Sequence, residues 1–164
     1  MAAANTGTAR ATRLFLFTGE GAHSVATDVA SLQASPSWTE VEEAVLQLGV
    51  ADSLEGLLCA RLGVHSAPRS PLITTIINIL NTSSWRAEGL MPTHVIGHSI
   101  GEVAAAYAAG MLSLRAALQT AHILGGIGSQ CDGAMCHTKM SHTEVDLLRA
   151  QPKGLQIAAF NGVA

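Results

Sequence analysis

The chain has 164 residues, of which 48% are hydrophobic and 13% charged, and its formal net charge is −3. This composition predicts a globular protein with a packed core and argues against a disordered chain. A small negative charge without a basic stripe argues against nucleic-acid binding, and no apolar run is long enough to predict a membrane span.

The amino-terminal residues 1–13 contain two arginines and no acidic residue. This pattern resembles a short transit peptide, but a disordered terminus is the favoured interpretation. The three cysteines are an odd number and too few for a disulfide scaffold. We therefore expect a reduced protein of the cytoplasm.

Short apolar runs alternate with helical periodicity along the first 130 residues. The runs at 13–17 and 93–96 are typical of buried strands in a parallel sheet. Helical periodicity is found in five segments, at 41–48, 54–62, 71–89, 102–109 and from 113 onward. The alternation predicts an α/β fold, a parallel sheet with flanking helices.

The pattern changes after the fifth helical segment. Three glycines at 125, 126 and 128 are expected to form a flexible hinge. Strands are predicted at 134–139 and 155–160, with a helix between them that starts at the capping box of Ser141 and Glu144. We therefore predict a large α/β subdomain at 14–130 and an incomplete small subdomain at 131–164.

A short turn between the second predicted strand and the next helix has the sequence Gly97-His98-Ser99-Ile100-Gly101. Serine between two glycines in this setting is typical of a nucleophile elbow, which exposes the hydroxyl above the sheet. Small neighbours are needed because a side chain two positions away would clash with the backbone. The helix start offers free amides, that of Ile100 first, to a developing oxyanion. A serine-capped turn without catalysis accounts for Ser99 but not for both glycines.

Three segments resemble the acyltransferase domains of polyketide and fatty-acid synthases, of the malonyl-CoA:acyl-carrier-protein transacylase type. The most specific is GHSIGEVAAAYAAGMLSL at 97–114, which is similar to the nucleophile motif and following helix of that family. Residues 15–23 resemble its first strand and glycine loop, and residues 158–162 resemble its A-A-x-N-G segment. The resemblance covers the N-terminal part of the family's domain. It implies a hydrolase-like large subdomain and an incomplete ferredoxin-like small one.

The resemblance implies an acyltransferase that moves an acyl group from acyl-CoA to Ser99, and then to the phosphopantetheine of an acyl carrier protein. No bound cofactor is implied, and the carrier protein and the rest of a synthase are the implied partners. The oxyanion hole is implied to use the backbone amides of Ile100 and Glu20, the latter replacing a glutamine. His98 matches a motif residue and is expected to pack or to bind substrate, not to act as the general base.

Three departures from the family pattern affect the expected activity. The arginine that binds the carboxylate of malonyl groups falls at Leu124, which cannot pair with a carboxylate, so we expect a monocarboxylic acyl group. None of the seven histidines matches the family's catalytic histidine, which lies beyond the small subdomain. The family's domain is also about twice as long as this chain. We therefore interpret the sequence as a truncated acyltransferase domain.

Two alternative functions stay open. One is an inactive acyltransferase remnant with a binding or docking role. The other, less favoured, is a serine hydrolase, whose acid and base are expected farther from the serine than the aspartates and histidines at 132–146. The cysteines and histidines at 131–142 are not spaced as in structural zinc sites, and the glycines at 125–128 lack the strand and lysine of a phosphate loop. No metal site is predicted.

Overall fold

The computed structural model describes residues 12–22, 28–59, 68–149, 155–159 and 162. The chain divides into two compact units, residues 1–131 and 132–164. The described elements of the first unit are β1 Leu14–Phe17, α1 Val29–Gln33, α2 Trp38–Leu48, α3 Leu54–Cys59, α4 Arg69–Ala87, β2 His94–Gly97, α5 Gly101–Ala108 and α6 Leu114–Gly128. The second unit contains α7, His142–Arg149.

The two strands pair in parallel, with Phe15 opposite Val95 and Phe17 opposite Gly97. Both phenylalanine side chains are buried, because alternate residues of a strand face the same side of the sheet. The ring of Phe15 meets Trp85 of α4 edge to face, with 5.0 Å between the ring centroids. This arrangement confirms the predicted α/β class, a parallel sheet with flanking helices.

Helix α4 is the central helix of the first unit and packs against α2, α5 and α6. Its buried apolar residues are Leu72, Ile73, Ile76, Ile79 and Leu80. The helix begins at Arg69, slightly earlier than predicted, so that Pro71 lies within the first turn. A proline is tolerated there because the first amides of a helix have no intrahelical partner.

The predicted hinge at 125–128 is wrong, because α6 continues to Gly128. The helix starts as predicted at Ser113, whose Oγ accepts the N–H of Ala116 at 3.2 Å. Gly125 lies against the start of α4, where a Cβ would overlap the carbonyl oxygen of Pro68. Glycine at this position therefore permits close packing of α6 on α4 and does not break the helix.

The second unit contains no strand among its described residues, so the strands predicted at 134–139 and 155–159 are wrong, and residue 160 lies outside the described part. Segments of this length need a neighbouring strand for their backbone hydrogen bonds. The capping box is confirmed. The N–H and Oγ of Ser141 donate to Glu144 Oε2 at 2.8 and 2.7 Å, and the N–H of Glu144 donates to Ser141 Oγ at 3.4 Å.

Helix α7 is expected to lose its amino-terminal turn in acid. Hydrogen bonds from Ser141 hold the pKa of Glu144 below its ordinary value of 4.5. A carboxylate whose pKa is lower in the folded state stabilises that state above its unfolded pKa, and the contribution is lost as pH falls through the lowered value. Backbone chemical shifts of residues 142–149, followed from about pH 7 to about pH 2, are expected to move toward random-coil values in this range.

The matched control is Glu144→Gln, which keeps an acceptor for Ser141 but does not titrate. Its chemical shifts should lack the acid transition. Shifts in the unmodified chain that stay constant down to the lowest pH would contradict the prediction.

Candidate functional site

Ser99 occupies the tight turn between β2 and α5, with a backbone φ of 54°. Among the described residues it is the one non-glycine residue with positive φ. The left-handed region costs such a residue about 1–2 kcal/mol, so it persists only where the surrounding structure imposes it. The side chain is exposed. The predicted order of strand, turn and helix is therefore confirmed, with the serine at the apex.

Two glycines make this turn sterically possible. A Cβ on Gly97 would lie 2.5 Å from the Cα of Glu102, and a Cβ on Gly101 would lie 2.6 Å from the carbonyl oxygen of Thr18. Both separations are shorter than van der Waals contact allows, so glycine is required on each side of the serine. The second contact also shows that the start of α5 lies directly on the end of β1.

The loop after β1 lies against the serine turn. A Cβ on Gly19 would lie 3.2 Å from the Cβ of Ser99 and 3.0 Å from Nδ1 of His98. Glu20 follows Gly19 directly, and its residue is exposed. The structure therefore brings together four of the five predicted site residues, which are Glu20, His98, Ser99 and Ile100.

Asn78 of α4 fixes this loop and was not identified from the sequence. Its Nδ2 donates a hydrogen bond of 3.0 Å to the carbonyl oxygen of Thr18. The sequence feature that could have identified this residue is a carboxamide side chain within the apolar segment 72–80. A polar side chain in such a helix needs a partner, and here the partner is the backbone of the loop beside Ser99.

The amide of Ile100 stays available in the turn. The three amides that follow it donate to the carbonyls of residues 98, 99 and 100 at 2.9, 3.0 and 3.1 Å. Within the described residues, no backbone hydrogen bond uses the N–H of Ile100. Its side chain is buried, which fixes the peptide in place. A free N–H at a helix start can stabilise a developing negative charge.

The far end of α5 is held by a cation from α4. Nη2 of Arg86 donates to the carbonyl oxygen of Ala108 at 2.6 Å, which satisfies a free carbonyl at the helix end. Burial raises the pKa of Tyr107, Glu40 raises it further, and Arg86 opposes the shift. Both ends of α5 are therefore fixed, the carboxyl end by Arg86 and the amino end by its contact with β1.

Leu124 lies on α6, a different element from the serine turn, and α6 packs against α5. Its side chain is 45% exposed, and the neighbouring Ile123 and Ile127 are also exposed. Between Arg115 and Lys139 the chain has no lysine or arginine. This stretch of α6 therefore presents an apolar ridge and supplies no lysine or arginine to bind a carboxylate.

The histidines nearest to the turn in sequence make other contacts. Nδ1 of His94 lies 3.0 Å from Oγ1 of Thr93, and the ring of His98 lies over Gly19. Neither hydrogen-bonds to Ser99 in the structure. Within the described part of the chain, no three His, Cys, Asp or Glu side chains are grouped to hold a metal ion. None of the described helices is both long and apolar enough to cross a membrane.

A family model and the related sequences identify the same protein family for this chain. A family model described as "Acyl transferase domain" matches residues 64–162. The chain is 31% identical over 145 residues to squalestatin hexaketide synthase from Phoma sp., and 30% identical over 167 residues to the non-reducing polyketide synthase olcA from Penicillium canescens. These alignments cover 80% and 90% of this chain, but only 6% and 7% of the two synthases. The chain therefore spans a small part of these relatives.

Solved structures of transacylases share the fold. The chain superimposes on a malonyl-CoA:ACP transacylase from Synechocystis sp. with a TM-score of 0.64 and 24% identity, covering 71% of this chain and 40% of that structure. An acyl carrier protein S-malonyltransferase from Vibrio cholerae gives a TM-score of 0.58 and 21% identity, covering 73% and 40%. At these identities the similarity establishes the fold.

Proposed function

Because this chain belongs to the acyl transferase domain family, we propose that Ser99 carries an acyl group, as an ester, between two thiols. The donor is an acyl-CoA thioester, and the acceptor is the phosphopantetheine thiol of an acyl carrier protein in polyketide or fatty-acid biosynthesis. The observation that carries the proposal is the left-handed backbone of Ser99, held between two obligatory glycines. This geometry exposes a serine nucleophile at a helix start.

The reaction consists of two transfers through one serine ester. Oγ of Ser99 attacks the thioester carbon and gives up its proton, the C–S bond breaks, and CoA leaves as a protonated thiol. The carrier thiol then attacks the ester, the C–O bond breaks, and the serine regains a proton. The exchange is redox-neutral. The amides of Ile100 and Glu20 are the proposed donors to the oxyanion in both steps.

The proposed acyl group is monocarboxylic. Leu124 and its exposed neighbours on α6 offer apolar surface, which favours an alkyl chain over a second carboxylate. His98, beside the loop of Gly19, is proposed to contact the substrate or to pack the site. The free, exposed cysteines of the described residues fit a reducing cytoplasm, in which a carrier thiol also stays reactive.

Incubation of the purified chain with acetyl-, hexanoyl- or malonyl-CoA is expected to add the mass of one acyl group at Ser99, with the monocarboxylic donors reacting faster. No described histidine is assigned as the general base. We therefore expect a rate only about 10³- to 10⁴-fold above the uncatalysed reaction, as when a triad lacks a member. Intact mass spectrometry over hours measures the adduct, and Ser99→Ala is the control.

This experiment, together with a second assay that uses nitrophenyl esters, distinguishes the three functions. An adduct that persists in Ser99→Ala contradicts the proposal. A folded chain that gains no mass from any thioester supports the alternative of an inactive domain with a docking role. Hydrolysis of nitrophenyl esters that depends on Ser99, without transfer to a carrier protein, supports the serine hydrolase.

A further inference from the structure

The loop that follows β1 is attached to the rest of the first unit at two successive carbonyl groups. The carbonyl oxygen of Phe17 accepts a backbone N–H of the serine turn at 3.0 Å. The carbonyl oxygen of Thr18 accepts Nδ2 of Asn78, also at 3.0 Å. Residues 19–22 make no backbone hydrogen bond to another described residue. Asn78 therefore supplies the last hydrogen bond that anchors the chain before it reaches Glu20.

The position and orientation of the Asn78 side chain are themselves fixed. Asn78 lies in the middle of α4, a helix of 19 residues, and its neighbours Ile76 and Ile79 are fully buried. Its own side chain is half-buried, which reduces competition from water for the hydrogen bond. A carbonyl oxygen only accepts hydrogen bonds, so the amide nitrogen of the carboxamide must face Thr18. The loop is thus attached to a rigid part of the core.

The Thr18 carbonyl is constrained from a second direction by the start of α5. A Cβ on Gly101 would lie 2.6 Å from this oxygen, so the helix start lies directly against it. The hydrogen bond from Asn78 holds the carbonyl, and the contact with α5 limits its movement. Because the peptide group is planar, these two contacts determine the orientation of the peptide from Thr18 to Gly19. Gly19 is buried, and the chain continues from it to Glu20.

We infer that Asn78 is a positioning residue for acyl transfer, which acts through Thr18 to hold the backbone amide of Glu20 in place beside Ser99. The inference rests on the proposed function, in which this amide is one of the two donors to the oxyanion. Such a donor accelerates the reaction only when it is held where the negative charge develops, and a displacement of about 1 Å can cost about 100-fold in rate. Loss of the anchor should therefore slow acylation and leave the binding of acyl-CoA unchanged.

The test is the substitution Asn78→Asp, which preserves the size of the side chain but replaces the donor with an acceptor at neutral pH. Asn81→Asp is the matched control, because it makes the same change of charge on the same helix. The side chain of Asn81 is exposed and makes no hydrogen bond to a described residue. Asn78→Ala is a second variant that removes the donor without adding a charge. Urea unfolding identifies the variants that are folded.

Acylation of Ser99 is measured by intact mass at several concentrations of hexanoyl-CoA, which gives a maximal rate and a half-saturating concentration. In both variants of Asn78 the maximal rate is expected to fall about 10- to 100-fold, while the half-saturating concentration changes by less than about twofold. Asn81→Asp should match the unmodified chain in both quantities. A folded Asn78 variant with an unchanged maximal rate would overturn the inference, whether or not its half-saturating concentration changes.

Backbone order parameters from NMR test the loop separately from the chemistry. The amides of Gly19 and Glu20 are expected to have order parameters of about 0.85 in the unmodified chain and below about 0.6 in Asn78→Asp. Equal values in the two proteins would overturn the inference. An unmodified chain that no thioester acylates at Ser99 contradicts the proposed function instead, and the order parameters then decide whether Asn78 holds the amide.

Discussion

Replacing Gly101 with alanine is expected to lower the free energy of unfolding by about 3 kcal/mol and to abolish acylation of Ser99. The new Cβ would lie 2.6 Å from the carbonyl oxygen of Thr18 and would overlap that of Phe17. Both are backbone atoms, which cannot rotate away as a side chain can. Helix α5 must then move off the end of β1, and the serine hydroxyl and the Ile100 amide move with it.

Urea unfolding and intact mass after incubation with acyl-CoA measure the two effects. Gly126→Ala in α6 is the matched control, because a Cβ at that position would have no atom within 4 Å apart from its adjacent residues and the nearby backbone of its own helix. Alanine is favoured over glycine in a helix by about 1 kcal/mol, so this variant should be more stable than the unmodified chain. A Gly101→Ala variant as stable as the parent would show that α5 does not rest on β1.

Leu124→Arg is expected to shift the preferred donor toward malonyl-CoA, by about 10- to 100-fold relative to hexanoyl-CoA. A guanidinium binds a carboxylate through two parallel hydrogen bonds. Hydrogen bonds to charged groups contribute about 1.5–3 kcal/mol, and each 1.4 kcal/mol is a factor of ten. Position 124 is 45% exposed, so the longer side chain can be accommodated without disturbing the core.

A competition between malonyl-CoA and hexanoyl-CoA, read as the ratio of the two adduct masses, measures the shift. Leu124→Met preserves the volume and apolarity of the side chain and should leave the ratio unchanged. The proposed monocarboxylic preference fails if the unmodified chain already favours malonyl-CoA. If the arginine variant gives the same ratio as the unmodified chain, residue 124 does not contact the acyl group, and the role proposed for Leu124 is wrong.

The elements around the serine could be predicted because their signals are local. Short apolar runs predicted both strands, and glycine at the end of a periodic segment predicted the stop of α2, where Gly49 has a φ of 69°. The turn at Ser99 was recognisable because one sterically demanding conformation requires glycine at two fixed positions. Pattern and structure agree where neighbouring residues in sequence decide the conformation.

Features that depend on distant residues could not be predicted. The hydrogen bond from Asn78 to the loop at Thr18 joins residues 60 positions apart. The glycines of α6 were interpreted as a hinge from their helix propensity, whereas packing of Gly125 against Pro68 explains one of them. The strand predicted at 134–139 failed for the same reason. Its composition suits a strand, but pairing depends on a partner that local sequence does not reveal.

The left-handed backbone at Ser99 lowers the stability of the fold at the same position that the proposed acyl transfer requires. Glycine adopts this conformation without steric cost, whereas serine is disfavoured there. Glycine at position 99 would therefore relieve the steric cost of the turn but would lack a hydroxyl. A chain that had lost its chemistry would gain stability from Ser99→Gly. The same substitution removes the hydroxyl that the proposed acyl transfer requires, so it is expected to separate the stability of the turn from its proposed chemistry.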